Sequence, residues 1–170
     1  RIMVNVKRLL RHLFMPHWAW RRVFPRATLD AIEAAIRASE TRHGGEIRFA
    51  IETSLSPMQA WRGTGGRQRA IEVFSELCVW DTEHNSGVLI YLLLADRDIE
   101  IVADRGIASR VGQSAWNGVA HAMEAAFRRG AYEEGALAGI AQVTELLAQH
   151  FPPPDDNPDE LANRPVILRR

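Results

Sequence analysis

The chain has 170 residues, and its 21 lysines and arginines balance its 21 aspartates and glutamates for a formal net charge of zero. That length suits one domain able to bury roughly 70% of the surface its unfolded form exposes, and the balance of charge gives no reason to expect nucleic acid as a partner. Cys78 is the only cysteine, which excludes an intrachain disulfide and makes a reducing, cytoplasmic compartment the natural expectation. No apolar run approaches the ~18–20 residues of a membrane-spanning helix.

The charge is unevenly spread. The first 26 residues hold Arg1, Lys7, Arg8, Arg11, Arg21, Arg22 and Arg26 and no acid. Residues 3–14 place Val6, Leu9, Leu10, Leu13 and Phe14 on one helical face with Lys7, Arg8 and Arg11 elsewhere, the pattern of a short basic amphipathic helix. Such a segment can lie on an anionic membrane surface or dock on a protein partner, but packing on its own domain is the commoner outcome and the expectation here. Met15–Pro25 follows as a proline-bounded loop in which Trp18 and Trp20 stand beside Arg21 and Arg22. An aromatic-basic cluster of this kind can stack bases or receive a partner. With no further basic groove in the chain, a hydrophobic plug over one end of the core is the expected role. Residues 1–25 thus read as an N-terminal segment, 26–151 as an α/β domain and the proline-rich 152–170 as a tail, whose Val166-Ile167-Leu168 could pack on the body or a neighbour.

Within the domain, a helix from Thr28 or Asp30 is stopped by Gly44-Gly45, and Glu46–Thr53 alternates as a first strand with Ile47, Phe49 and Ile51 inward. One helical turn at Pro57–Trp61 interrupts the following loop. Its Gly63-Thr64-Gly65-Gly66-Arg67 lacks the Lys-Ser/Thr of a phosphate loop, because Gln68 stands where the hydroxyl belongs. Gln68–Trp80 reads as a crossover helix with Ala70, Ile71, Phe74, Leu77 and Cys78 buried, which makes the strands on either side of it parallel. Residues 88–94 form an unbroken apolar run, as in a strand covered on both faces. Asp96-Arg97-Asp98 turns the chain into a second, half-exposed strand, so the pair is a hairpin at the centre of the sheet. Helices over 111–127 and 133–151 complete the domain, the first stopped by Gly130.

The loop Asp81-Thr82-Glu83-His84-Asn85-Ser86 is the one most suited to chemistry. A turn centred on Asp96-Arg97 would put Asp104 opposite Leu89, bringing Asp104 and Arg105 to the same sheet edge as this loop. Asp81, Glu83, Asn85 and Asp104 could then converge on a hard cation, Ca²⁺ or Mg²⁺, which takes several oxygen ligands; the alternative is a solvated connection with Asp81 capping a turn. His84 has no Cys or His at ligand spacing for zinc. Glu52, beyond the end of the first strand, is a second-rank candidate, since ligands of open α/β sheets bind beyond strand C-termini.

Phe127-Arg128-Arg129-Gly130-Ala131-Tyr132-Glu133-Glu134-Gly135 resembles the aromatic-Arg-x-Gly-x-Tyr-x-x-Gly helix junction of the TPM domain family, the thylakoid-lumen-phosphatase-like group. Asn85-Ser86-Gly87-Val88-Leu89-Ile90 resembles that family's Asp-Asn-Gly-Val-Leu-Leu segment, and Val102–Ile107 lies where its Val-Gly-Tyr-Gly-Leu falls. The resemblance runs over about residues 28–150. It implies a three-layer α/β/α sandwich with a small mixed sheet, a divalent cation at the loops flanking the hairpin, and the acid phosphatase activity of some members. The chain departs from the pattern where the family's aspartate becomes Asn85, where its Tyr-Gly becomes Arg105-Gly106, and where Ala108 replaces a common acid. Asp104 adds a carboxylate at the same edge, and Arg105 could pair with it or hold an anion bidentately.

Many relatives carry a leader and a membrane anchor; this sequence shows neither pattern, so a stand-alone cytoplasmic member is the expectation, with peripheral contact at the inner membrane face as the variant. Two functions follow. The preferred one is a non-enzymatic module that binds a protein partner or a membrane through Trp18, Trp20, Arg21 and Arg22, any cation being structural. The alternative is a phosphatase whose cation polarises a phosphoryl oxygen and activates water, with His84 or Glu83 as base.

Overall fold

A computed structural model describes residues 5–169. Arg1, Met3 and Val4, which the basic N-terminal pattern includes, lie outside the described residues. Four strands, β1 (Glu46–Glu52), β2 (Gly87–Leu93), β3 (Asp98–Ala103) and β4 (Val166–Leu168), form one sheet in the order β3-β2-β1-β4. β1 is parallel to both its neighbours, and β2 and β3 are the antiparallel hairpin. The helices are α1 (Val6–Phe14), α2 (Trp20–Val23), α3 (Arg26–Ser39), α4 (Pro57–Trp61), α5 (Gly66–Glu76), α6 (Arg105–Ala108), α7 (Gln113–Arg128) and α8 (Tyr132–His150).

Every residue of β2 is buried, so both faces of the sheet must be covered. Strand alternation sends Ile47, Phe49, Ile51, Val88, Ile90 and Leu92 to one face, where α3, α7 and α8 cover them with Ile36, Trp116, Phe127 and Ile140. Ala50, Leu89, Tyr91 and Leu93 go to the other, against Ala70 and Val73 of α5, Ala60 of α4 and Leu9 of α1. The result is the expected three-layer α/β/α arrangement.

The hairpin register differs from the expectation. Leu93 pairs with Asp98 and Val88 with Ala103, and the Asp104 N–H donates to Gly87 O at 2.9 Å, so Asp104 lies beside Gly87 rather than Leu89. The reason is the size of the turn: it takes Leu94 and Ala95 as well as Asp96 and Arg97, with Arg97 in the left-handed region at φ 53°. α5 also stops at Glu76, four residues before Trp80. Cys78, at φ 51°, turns the chain so that Val79 enters the core, and this leaves Cys78 exposed instead of buried. Val73 takes the buried place expected for Ile71, which is 50% exposed. At the other end of the chain, Val166-Ile167-Leu168 adds to the edge of β1, with Ala50 facing Val166 and Glu52 facing Leu168.

Two polar networks fix the periphery. Arg69 grips Glu52 with a two-point fork, Nε to Oε2 at 2.9 Å and Nη2 to Oε1 at 3.1 Å, while Tyr91 Oη donates to the same carboxylate at 2.6 Å. Glu52 is thus a structural anchor, its oxygens used by buried partners, and burial pushes the Tyr91 phenol upward. At the hairpin tip, Asp96 receives Arg8 through Nε and Nη2 at 2.9 and 2.8 Å and His12 Nε2 at 3.1 Å. His12 Nδ1 accepts the Leu55 N–H at 3.0 Å, which leaves the proton on Nε2 to be given to Asp96. Burial alone would raise the Asp96 carboxyl, but His12 and Arg8 hold it below its ordinary value. Asp96 is thereby more than a turn residue: it ties α1 to the hairpin.

A Cβ at Gly87 would meet Val79 O at 2.0 Å, whereas one at Gly118, in the middle of α7, would meet nothing within 4 Å. Gly87→Ala is expected to cost about 2–4 kcal/mol in urea unfolding, and Gly118→Ala to gain about 0.5–1 kcal/mol.

Candidate functional site

At the N-terminal end of β1, the strand's alternation puts Glu46 on the face away from α3, where the C-terminal segment crosses the sheet. That segment is held from several points. Asn157 Nδ2 donates to the carbonyls of Glu40 and His43 at 3.0 and 3.2 Å, and Arg48 Nη1 donates to those of Ala162 and Arg164 at 2.6 and 2.7 Å. Its path brings Asp159 to Glu46 and to Glu40, the residue that ends α3, and the ligand oxygens of these three carboxylates lie within 4.8 Å of one another. Among the described residues, this is the acidic group whose geometry could hold a metal ion.

Asn163, only 6% exposed, donates its amide to Glu40 Oε2 at 3.3 Å and Asp159 Oδ2 at 3.0 Å, and the Leu161 N–H donates to Glu46 Oε2 at 3.2 Å. Glu40 Oε1 and Asn163 Oδ1 are buried with no hydrogen-bond partner. Burial first, then the Glu40 and Asp159 carboxylates, pushes Glu46 up to about 7, and burial followed by Asp159 pushes Glu40 up to about 6. Crowded, desolvated carboxylates either bind protons or share a cation. Glu46 is buried, Glu40 half-buried and Asp159 exposed, so the group is open to solvent on the Asp159 side. A donor set made only of oxygens suits a hard cation.

The loop 81–86 stands at the same end of the sheet. Asp81 and Glu83 are exposed, and the Glu83 N–H donates to Glu160 Oε2 at 2.9 Å. Asn85 takes φ 51° and its Oδ1 accepts Arg105 Nη2 at 3.1 Å. Asp104 is buried and starts α6, its Oδ1 accepting the Arg105 N–H at 2.7 Å while Oδ2 is buried without a hydrogen-bond partner. Asn85, Asp104 and Arg105 are thus brought together, with the Arg105 guanidinium on Asn85, and Asp81 and Glu83 stay on the surface of the loop. The loop singled out in the sequence and the Glu40, Glu46 and Asp159 group stand at the same end of the sheet, but sequence reasoning missed those three carboxylates. Glu46 offered a slight signal, being the acid that opens an alternating strand.

The aromatic-basic residues occupy the opposite end. Phe24 is fully buried, and Trp20 and Val23 pack against the core, while Trp18 is 40% exposed, so only the second half of this stretch acts as the plug. Arg21 lies 5.5 Å from the Trp20 ring and Arg22 4.8 Å from the Trp18 ring, both as cation-π contacts. Beyond the C-terminal ends of β1 and β4, Trp18, Trp20, Arg21, Thr53, Ile167 and Arg169 line part of a groove of about 1090 Å³.

A protein from the psychrophilic bacterium Bizionia argentinensis, BA42, solved by NMR, is similar to the chain at 31% identity and TM-score 0.73, over 84% of this chain and 93% of that one. The N-terminal domain of a P. gingivalis protein, also an NMR structure, shares the fold at 19% identity and TM-score 0.57, over 81% and 90% of the two chains. No curated protein matches. The family model described as the TPM domain matches residues 21–146, which takes in the hairpin, the helix junction at Gly130 and all but the last strand of the sheet. The chain belongs to the TPM domain family.

Proposed function

We propose that this TPM domain is a non-enzymatic binding module whose acidic end holds a divalent cation. The observation that carries the reading is the convergence of the Glu40, Glu46 and Asp159 carboxylates beside two buried oxygens that lack partners. Ca²⁺ is favoured over Mg²⁺, because Ca²⁺ accepts an irregular set of carboxylate and amide oxygens while Mg²⁺ demands a near-ideal octahedron and keeps its waters. Glu40 and Glu46 flank the α3–β1 connection, and Asp159 comes from the segment that leads into β4. A cation there would staple the two together, which suits a structural role. A second reading puts the cation at the hairpin loops, where a phosphatase would need it, and it is favoured by the partnerless Asp104 Oδ2 beside Asn85.

Titrating the EDTA-stripped protein with Ca²⁺ and with Mg²⁺, and following amide chemical shifts, separates these readings. Saturable shifts are expected across residues 40–46 and 157–163 and are expected to vanish in Glu46→Gln. Shifts confined to 81–87 and 103–107 would move the cation to Asp104 and justify a phosphatase assay. Spectra that stay flat to millimolar cation would overturn the reading.

The proton competes with the cation. Glu46 and Glu40 are raised from an ordinary value of 4.5 to about 7 and about 6, so between those values the folded chain binds more protons than the unfolded one. The cluster's contribution to stability is therefore greatest below about pH 4.5 and is lost as pH rises through 7. Neutral, buried His43, lowered from 6.5 to about 4 by desolvation, has the opposite slope at lower pH. It is present in wild type and variant alike and cancels in their difference. The stability of metal-free wild type minus that of Glu46→Gln is expected to fall by roughly 1–3 kcal/mol between pH 5 and 8 in urea unfolding, and saturating Ca²⁺ is expected to reverse the fall.

A further inference from the structure

α1 is held to the domain from one side. Leu9 packs on the core, His12 is fully buried, and Arg8 and Arg11 reach Asp96. The other side leaves Val6, Leu10, Leu13 and Phe14 at 61%, 45%, 46% and 75% exposure. α4, which packs against α1, adds Met58 and Trp61 at 59% and 58%. Isolated exposed apolar side chains are ordinary, but six large ones on two adjoining helices mark an interaction face. The expected stripe of α1 is therefore divided, with Leu9 serving the core and the rest facing outward.

The charge carried by α1, α4 and their flanking residues is positive. Lys7, Arg21, Arg22 and Arg62 are exposed, and the sequence holds no acid before Asp30 and none between Thr53 and Ile71. The carboxylates that do reach these helices are each paired with an arginine, Asp96 with Arg8 and Glu72, beside Gln59 of α4, with Arg69. An apolar helical face with interfacial aromatic residues and a basic border is complementary to anionic lipid headgroups over acyl chains. A second copy of the chain fits less well, because a two-fold contact through the same patch would set these cations against one another. No helix of the described residues is long and apolar enough to cross a membrane, so contact would be in the plane of the surface.

We propose that α1 and α4 form a docking face for an anionic phospholipid bilayer, with Leu10, Leu13, Phe14 and Trp61 entering the interface and Lys7 and Arg62 meeting the headgroups. The proposal does not depend on the cation site, which lies at the other end of β1. The test is co-sedimentation of the full chain with vesicles of phosphatidylcholine alone and with vesicles containing about one-third phosphatidylglycerol. Partitioning is expected to be at least about tenfold stronger on the anionic vesicles and to weaken with added salt.

Leu13→Glu with Phe14→Glu should abolish binding, and Lys7→Glu with Arg62→Glu should lower it about tenfold or more, while circular dichroism and the unfolding midpoint stay at wild-type values. Quenching of wild-type tryptophan fluorescence by lipids brominated in the acyl chains reads the same insertion without any substitution. Equal partitioning onto both vesicles, or none onto either, would overturn the proposal. So would a concentration-dependent dimer that Phe14→Glu dissociates, since the face would then belong to a second copy.

Discussion

The burial of β2 on both faces is the constraint from which the architecture follows. A strand with no solvent-facing side can exist only if apolar helices cover it above and below, and its neighbours must then supply the alternation that β2 lacks. The close approach of Val79 to Gly87 is part of the same requirement: the loop that delivers the chain into β2 has to pass directly under it, and only a residue without a side chain leaves room. The left-handed turn at Cys78 is the local cost of that path.

The same constraint explains where polar groups are found. Because β2 has no space for them, charged groups fall on its neighbours and at the ends of the sheet, and each end uses them differently. At the C-terminal end of β1, Arg69 pairs with Glu52, Glu72 and Glu76, and the Tyr91 hydroxyl donates to Glu52. At the N-terminal end, Glu40, Glu46 and Asp159 have only an amide and backbone donors between them, so like charges crowd and their proton affinities rise. A saturated network stiffens a fold, and an unsaturated one leaves capacity for a ligand.

How much of this was legible in the sequence follows from the range of each interaction. The apolar run at 88–94, the alternation of Ile47, Phe49 and Ile51 and the helix junction at Gly130 are local signals, and they specified the layers, the parallel pairing and the family. The hairpin register was displaced because turn length depends on the left-handed backbone at Arg97, which no flanking pattern announces. The burial of Cys78 was misjudged because α5 ends where packing of Val79 demands it, not where helix propensity runs out. The acidic group was out of reach altogether: Asn163 meets Glu40 across 123 positions, from a proline-rich stretch whose composition resembles that of a tail. Only the return of β4 to the edge of β1 creates that proximity.

The polarity of the sheet also bears on how the molecule approaches a charged surface. Its formal charge is zero, yet a carboxylate group stands at one end of β1 and the arginines of the groove at the other, separated by a seven-residue strand, about 23 Å. Such a molecule has almost no monopole to draw it in from a distance, so any separation of charge along the strand would act on it before its net charge does. Near a negative surface, within a Debye length of about 8 Å, the field exerts a torque before it exerts an appreciable pull. Were the proposed α1–α4 face to meet such a surface, arrival would be a matter of rotation, with that face turned inward and the carboxylates at the other end of β1 left facing bulk water, where dissolved ions could still reach them.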